Sequence, residues 1–416
     1  MMKKSIFFGR YNGIIAVILF TILAPAESIP LEQDSLKTRQ TSAIVHALEK
    51  GLNDPSESVR IQALRALCRI GCPEAIDLLI ETALHDKNKN VRKEAVKQLA
   101  EIKDSKVVPP LIQVVEDRTE DPDVREQAVI ALASFKSPKI MQTLINALDD
   151  PDDQVREEAI EALARQEYTN ALPALRGLIR DSHKDVRREV ARALGNIQSN
   201  SSGEGLIDLL NDEDNDVREA ALVSLGRLKL VNAVKPVSEL LDSSDEDIRE
   251  QAVETLGRIG HTAALPALKK ALKDEHDHVR DQAIQALSFI GTESAVDILV
   301  QVLKDSDEDI RKEAVEALAN MKTESALAAL TRALQEREKE QRMEMIRVLA
   351  DLETGHAVSV LIIALEDPYW KIRKEAADGL GDIGDIRAVE PLSRILLDPN
   401  ESVRQEVIRA LGRLVE

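Results

Sequence analysis

Aromatic rings are nearly missing from this chain: Phe, Tyr and Trp together make up 2% of its 416 residues. Burial must therefore fall to Leu, Ala, Val and Ile, a set suited to short helices that approach one another closely. Cysteine is scarcer still, with Cys68 and Cys72 alone, which excludes a disulfide framework and leaves a zinc site short of two nearby ligands. Four residues apart, those two either close one small disulfide or stay unpaired thiols. A positive surplus is lacking as well. The formal charge of −19 keeps a long surface soluble and disfavours phosphate binding, so nucleic acid is not expected as a partner.

Long hydrophobic runs are absent except at the amino end. Lys3, Lys4 and Arg10 precede an apolar stretch from Ile14 to Leu23, followed by Ala24-Pro25-Ala26. That three-part order predicts a secretory signal peptide over residues 1–26, cut after Ala26. The alternative is an uncleaved anchor, for which the run is short of the ~20 apolar residues a spanning helix needs. No cysteine follows the run, so a lipoprotein is not expected. The mature chain is expected to be exported, periplasmic or extracellular in a bacterium, with no membrane span.

What the chain does have is a beat. Arginine recurs at 60, 92, 125, 156, 187, 218, 249, 280, 311, 342, 373 and 404, the last ten spaced 31 residues apart. Seven residues after each stands leucine, from Leu67 to Leu411. Three after lies Ala in nine units, and the next residue is mostly Val or Ile. Offsets 3, 4, 7 and 10 fall on one face of a helix. A sustained repeat of this length marks a solenoid in which each unit buries its apolar face against its neighbours.

Six residues before the arginine stands Asp in nine units, followed directly by Pro in four, as in Asp54-Pro55 and Asp398-Pro399. That pattern predicts an N-cap aspartate with Pro at the first helical position, and Glu57, Glu308 and Glu401 complete capping-box patterns. Glycines such as Gly260, Gly291 and Gly384 stand where the helix should end. Upstream of each aspartate runs a shorter helix, for example Ser294 to Leu303. The expected architecture is all-α, an α–α superhelix of about twelve two-helix repeats over residues 38–416, with 27–37 as linker. Two units depart from the pattern. Unit three has Thr119 at the cap and a longer turn over 116–123. Unit ten reads QEREKEQRMEMIR over 335–347, so its turn tightens or its helices partly fuse.

The stretch SSDEDIREQAVETLGRIGHTAALPALKKAL, residues 243–272, resembles the short HEAT-like repeats of the phycobilin-lyase type. The resemblance implies that Asp and the Arg six residues later, such as Asp305 and Arg311, form ladders along the stack. It also raises enzyme alternatives, an accessory subunit or enzyme of the bilin-lyase or HEAT-repeat hydroxylase kind. Those hydroxylases hold di-iron with repeated His-Glu dipeptides, and here none of the seven histidines is followed by Glu. A bilin lyase works inside the cell, which an export signal opposes. His276-Asp277-His278 lies in an acidic inter-helix turn and is read as solvated capping. The runs 212–216 and 305–309 lack the glycine and bidentate glutamate of a calcium loop. No catalytic, metal or cofactor residue is expected.

A partner would meet the face opposite the apolar stripe, the concave face of a HEAT-type stack, at offsets 1, 5 and 9 after the arginine. Those 36 positions hold 14 basic and 12 acidic residues. The basic steps Arg65, Arg69, Lys93, Lys97, Arg188 and Arg192, with the apolar Ile130, Val223 and Phe289 among them, suit a protein or peptide partner.

Overall fold

The computed structural model describes residues 29–352 and 355–414. These hold 24 α-helices and no strand. The expected leader at 1–26 lies outside the described residues. The chain divides into two compact units, residues 1–162 and 163–416, with the boundary inside the helix Asp153–Arg165. Each unit is a row of helix pairs. Twelve second helices carry the twelve arginines, from Glu57–Ile70 to Glu401–Arg413.

The first helices are shorter in the second unit, where several are flanked by single 3-10 turns, as at Thr169–Ala171, Leu172–Gly177 and Leu178–Arg180. Pro173 and Pro266 sit in the first turn of their α segments, where a missing N–H costs nothing. The first helix among the described residues, Ile29–Leu52, starts within the stretch expected to be a linker. Pro30 lies in its first turn, so proline does not oppose helix there.

The leucine seven after the arginine is fully buried in eleven repeats, Leu67 through Leu380, while Leu411 of the last repeat is half-buried. Close helix approach accounts for the small residues. At Gly381 an added Cβ would lie 2.6 Å from the Ala410 Cα, and at Gly257 2.9 Å from the Ala286 Cα. The expected helix ends hold: Gly260, Gly291 and Gly384 take φ of 70°, 67° and 71°, a conformation that glycine adopts without strain.

The N-cap reading needs correction. The helix starts two residues later than the pattern suggested, with Asn88, Asp214, Asp245, Asp307 and Asn400 as caps. Glu57, Glu308 and Glu401 are then the first helical residues, where they meet the helix dipole rather than close a capping box. The recurring aspartate instead makes an Asx turn. Asp54, Asp86, Asp212 and Asp398 each accept the N–H two residues on, at 2.8, 2.8, 3.0 and 2.8 Å.

That turn leaves the carboxylate free for the arginine of the preceding repeat. Arg60 meets Asp86 at 2.9 Å, Arg187 meets Asp212 at 2.6 Å, and Arg373 meets Asp398 at 2.6 Å, each through two guanidinium nitrogens. The remaining Nη1 donates to the backbone carbonyl six residues earlier in its own repeat, as Arg60 does to Asp54 at 2.9 Å. The ladder is thus real, but its rungs join successive repeats; the Arg311 contact with Asp305 is to the backbone carbonyl. Bidentate geometry is the reason arginine holds this place.

Both irregular units repair the ladder with another carboxylate. In unit three Glu120 takes Arg92 at 2.7 and 2.6 Å, beside the longer turn. In unit ten the helices Glu324–Glu336 and Lys339–Asp351 stay separate, and Glu344 takes Arg311 at 3.1 and 2.9 Å.

The ladder predicts acid sensitivity. Its arginine partners and turn N–H groups hold Asp274 and Asp398 below the usual carboxylate range; for Asp150 and Asp212 burial opposes the charge, and the same partners outweigh it. A depressed folded pKa adds stability that is complete above the unfolded value of ~3.9 and lost as pH falls through the folded one. The melting temperature should therefore show its steep acid loss below about pH 4, where these four carboxylates begin to take up protons. Melts followed by circular dichroism across that range check this; no loss below pH 4 would contradict it.

Candidate interaction face

Each second helix offers one strip to solvent. The residue nine after the arginine is exposed in eleven of the twelve repeats, whereas the residue one after is half-buried in ten. The start of the strip is shielded and its end is open. The face is therefore read chiefly through the later positions.

Of the predicted basic positions, Arg65, Arg69, Lys97 and Arg192 are exposed. Arg65, Lys93, Arg188 and Arg192 are tied. Arg65 donates to Glu94 at 2.8 Å, Lys93 lies 3.8 Å from Asp123, Arg188 pairs with Asp185 at 2.7 Å, and Arg192 approaches Glu189 at 3.5 Å. These are partly exposed pairs and add little stability, but they neutralise the positive steps expected there. Ile130 and Val223 are half-buried. Arg65, Arg69, Lys93, Lys97 and Ile130 belong to the first unit. In the second, Arg188, Arg192 and Val223 line one groove of about 430 Å³ with Asn196 and Arg227.

Two of these partners, Glu94 and Glu189, stand in a column that offset reasoning missed. Two residues after the arginine stands Glu or Gln in eleven repeats, with Ala220 the exception. Glu94, Glu344, Glu375 and Glu406 each take a cation of the preceding repeat, namely Arg65, Arg311, Arg347 and Lys374. The uniformity of the column was a visible signal. Its meaning depended on knowing that it points to the neighbouring helix.

Phe289 is the outlier on the face, with 65% of its surface exposed. It lines a groove of about 670 Å³ with Gln285, Ser288, Glu313, Glu316 and Asn320. Lys229 stands 5.9 Å from its ring centre. Acids crowd here: burial pushes the Asp281 carboxyl up, and burial together with Asp281 and Glu316 does the same for Glu313. These two carboxylates are charged at a cost within the free protein.

The remaining chemical candidates are absorbed by the scaffold. His276 binds Glu246 at 2.6 Å and Arg249 at 2.8 Å, so it belongs to the ladder. Cys68 and Cys72 are free thiols, and burial pushes the Cys68 thiol up. Tyr369 and Trp370 pack as a tilted pair 6.4 Å apart at a helix start. Among the described residues no group of three or more His, Cys, Asp or Glu is placed to hold a metal, and no helix is long and apolar enough to cross a membrane.

The profile of the family described as HEAT repeats matches the chain in nine overlapping windows, among them 45–133, 203–288 and 358–415, which together run from residue 45 to 415. This chain is a HEAT-repeat protein. Among solved structures, the karyopherin Kap121p bound to the extreme C-terminus of the protein phosphatase Cdc14p is similar over 97% of this chain and 53% of its own, at 12% identity and a TM-score of 0.57. That likeness is one of fold, and the HEAT-repeat chain spans about half the length of the karyopherin. The complex of CpcE and CpcF of phycocyanin lyase from Nostoc sp. PCC7120 is similar over 53% of this chain and 92% of that one, at 26% identity and a TM-score of 0.34. Human deoxyhypusine hydroxylase in complex with glycerol is similar over 69% and 99%, at 25% identity and a TM-score of 0.31. Both are HEAT-like repeat proteins. None of the curated protein sequences matches. For a HEAT-repeat protein the arginine ladder and leucine column are frame, and individuality lies in the exposed strip.

Proposed function

We propose that this HEAT-repeat protein is an exported, non-catalytic scaffold that holds a protein or peptide partner on the face lined by its second helices. Phe289 carries the reading. An isolated large ring standing in solvent costs a free protein solubility and stability, and it suits an anchor pocketed by a partner. The acids lining its groove, Glu313 and Glu316, favour a segment that sets a basic residue beside an apolar one. The leader at 1–26 supports export, and the acidic surface argues against nucleic acid.

Peptide phage display against the purified protein tests this. Peptides pairing Lys or Arg with an apolar residue should be enriched, and Phe289→Ala should weaken their binding about tenfold or more while leaving the melting temperature intact. Enrichment of unrelated peptides, or indifference to Phe289→Ala, would remove this groove from the proposal. The competing reading, an accessory subunit or enzyme of the bilin-lyase or hydroxylase kind, would declare itself as stoichiometric iron or a bound chromophore in the purified protein.

A further inference from the structure

The column of Glu or Gln two residues after the repeat arginine breaks at Ala220, and the break falls beside a base. Among the repeats with another after them, four carry a base five residues after the arginine, namely Arg65, Lys97, Arg192 and Arg347. Arg65 donates to Glu94 at 2.8 Å and Arg347 lies 3.8 Å from Glu375, each acid standing in that column of the next repeat. For Lys97 the residue in the same place is Gln127, whose amide oxygen can still accept. Arg192 alone is given an alanine.

Without a carboxylate from the next repeat, Arg192 falls back on its own helix, where Glu189 lies 3.5 Å away. Ala220 lines the groove of about 430 Å³ that Arg188, Arg192 and Arg227 border. Arg227 donates to the Asn196 amide oxygen, and among the described residues no carboxylate pairs with it. Arg188 holds Asp185 through Nη1 at 2.7 Å, yet its Nε is shielded from water and among the described residues meets no acceptor. A shielded donor without an acceptor costs the free protein stability that an arriving acceptor returns. The acids of the groove do not take the place of the missing one. Asp216 sits in the first turn of its helix, 3.5 Å from Lys184 and 4.0 Å from Arg188. Glu219 is exposed and has no ion-pair partner among the described residues.

We propose that this groove takes the carboxylate of an acidic side chain of the bound partner, which does for Arg192 and Arg227 what Glu94 does for Arg65. The occupant is argued from the array itself. The groove stands where the column elsewhere sets a Glu or Gln side chain, and guanidinium forks, which match a carboxylate in shape and charge, edge it. The inference rests on the scaffold reading, in that a partner lies along this face, but not on Phe289. Both grooves belong to the second unit. A partner that reaches both therefore carries its carboxylate and its base–apolar pair at separate places.

Two rhodamine-labelled peptides test this, alike in a Gly-Ser frame except that one carries Glu-Val-Glu and the other Gln-Val-Gln. By fluorescence anisotropy the Glu peptide should bind the purified protein at least about tenfold more tightly than the Gln peptide. Ala220→Glu, which returns the carboxylate to the array, should weaken that binding by about tenfold or more. Ala220→Gln, similar in size and uncharged, should weaken it less. Arg192→Gln should also weaken it, whereas Phe289→Ala should leave it unchanged, so failure at the Phe289 groove is distinguishable from failure here. Thermal melts of each variant confirm that it folds. No binding of the Glu peptide, equal binding of the two peptides, or indifference to Ala220→Glu overturns the proposal.

Discussion

Asp150→Ala is expected to destabilise the first unit by about 3–5 kcal/mol, the scale for removing one partner of a buried ion pair. The Asp150 side chain is fully buried and that of Arg125 is 2% exposed. Arg125 reaches the carboxylate with Nε at 3.0 Å and Nη2 at 2.9 Å, and Arg118 binds it from the side. Alanine would strand the Arg125 guanidinium away from water and delete the acceptor of the Asp152 turn N–H, now at 3.0 Å. The cost comes mainly from the stranded charge. Asp150→Asn should therefore recover part of the loss, because its amide oxygen still accepts from the turn. Denaturant titration of the three proteins orders them wild type, Asn, Ala; equal stability of Ala and wild type would show that the rung carries no weight.

Leu256→Asp is expected to be at least as severe. Leu256 is fully buried in the second unit, at the one apolar position where all twelve repeats agree. Removing a leucine there forfeits about 2–5 kcal/mol through lost burial and the cavity left behind. The carboxylate adds a further penalty, since no cation lies on the apolar stripe. Leu256→Ala separates the two contributions. Loss of the cooperative melt is the expected result for Asp, with a lowered but still cooperative melt for Ala. An intact melt in Leu256→Asp would contradict the assignment of this column to the core.

Most of the frame was legible because a repeat samples the same physical problem twelve times. The leucine column, the alanine three after the arginine and the glycine helix ends are local or nearest-neighbour demands, so they recur at fixed offsets. The aspartate was legible as a position and misread as a role. Asp followed by Pro has the form of an N-cap, but an Asx turn two residues earlier uses the same residues, and only the position of the preceding repeat's arginine distinguishes them. The pairing of Arg65 and Lys93 was hidden for a related reason. Offsets on one helix say which side chains leave the core, but not that Glu94 or Asp123 on the next helix reaches across to them.

By itself, the sequence determined the all-α repeat, its period, its twelve arginines and its buried stripe, since each follows from spacing along one chain. The tertiary structure decided which carboxylate meets which arginine, which exposed charges are already neutralised, and which core-type residues are left uncovered. Those outcomes depend on residues about 25 to 33 positions apart being brought side by side, a relation that spacing within a single helix does not contain. Phe289 is an ordinary apolar residue in the sequence. It becomes a candidate for recognition only because no neighbouring helix in the fold covers it.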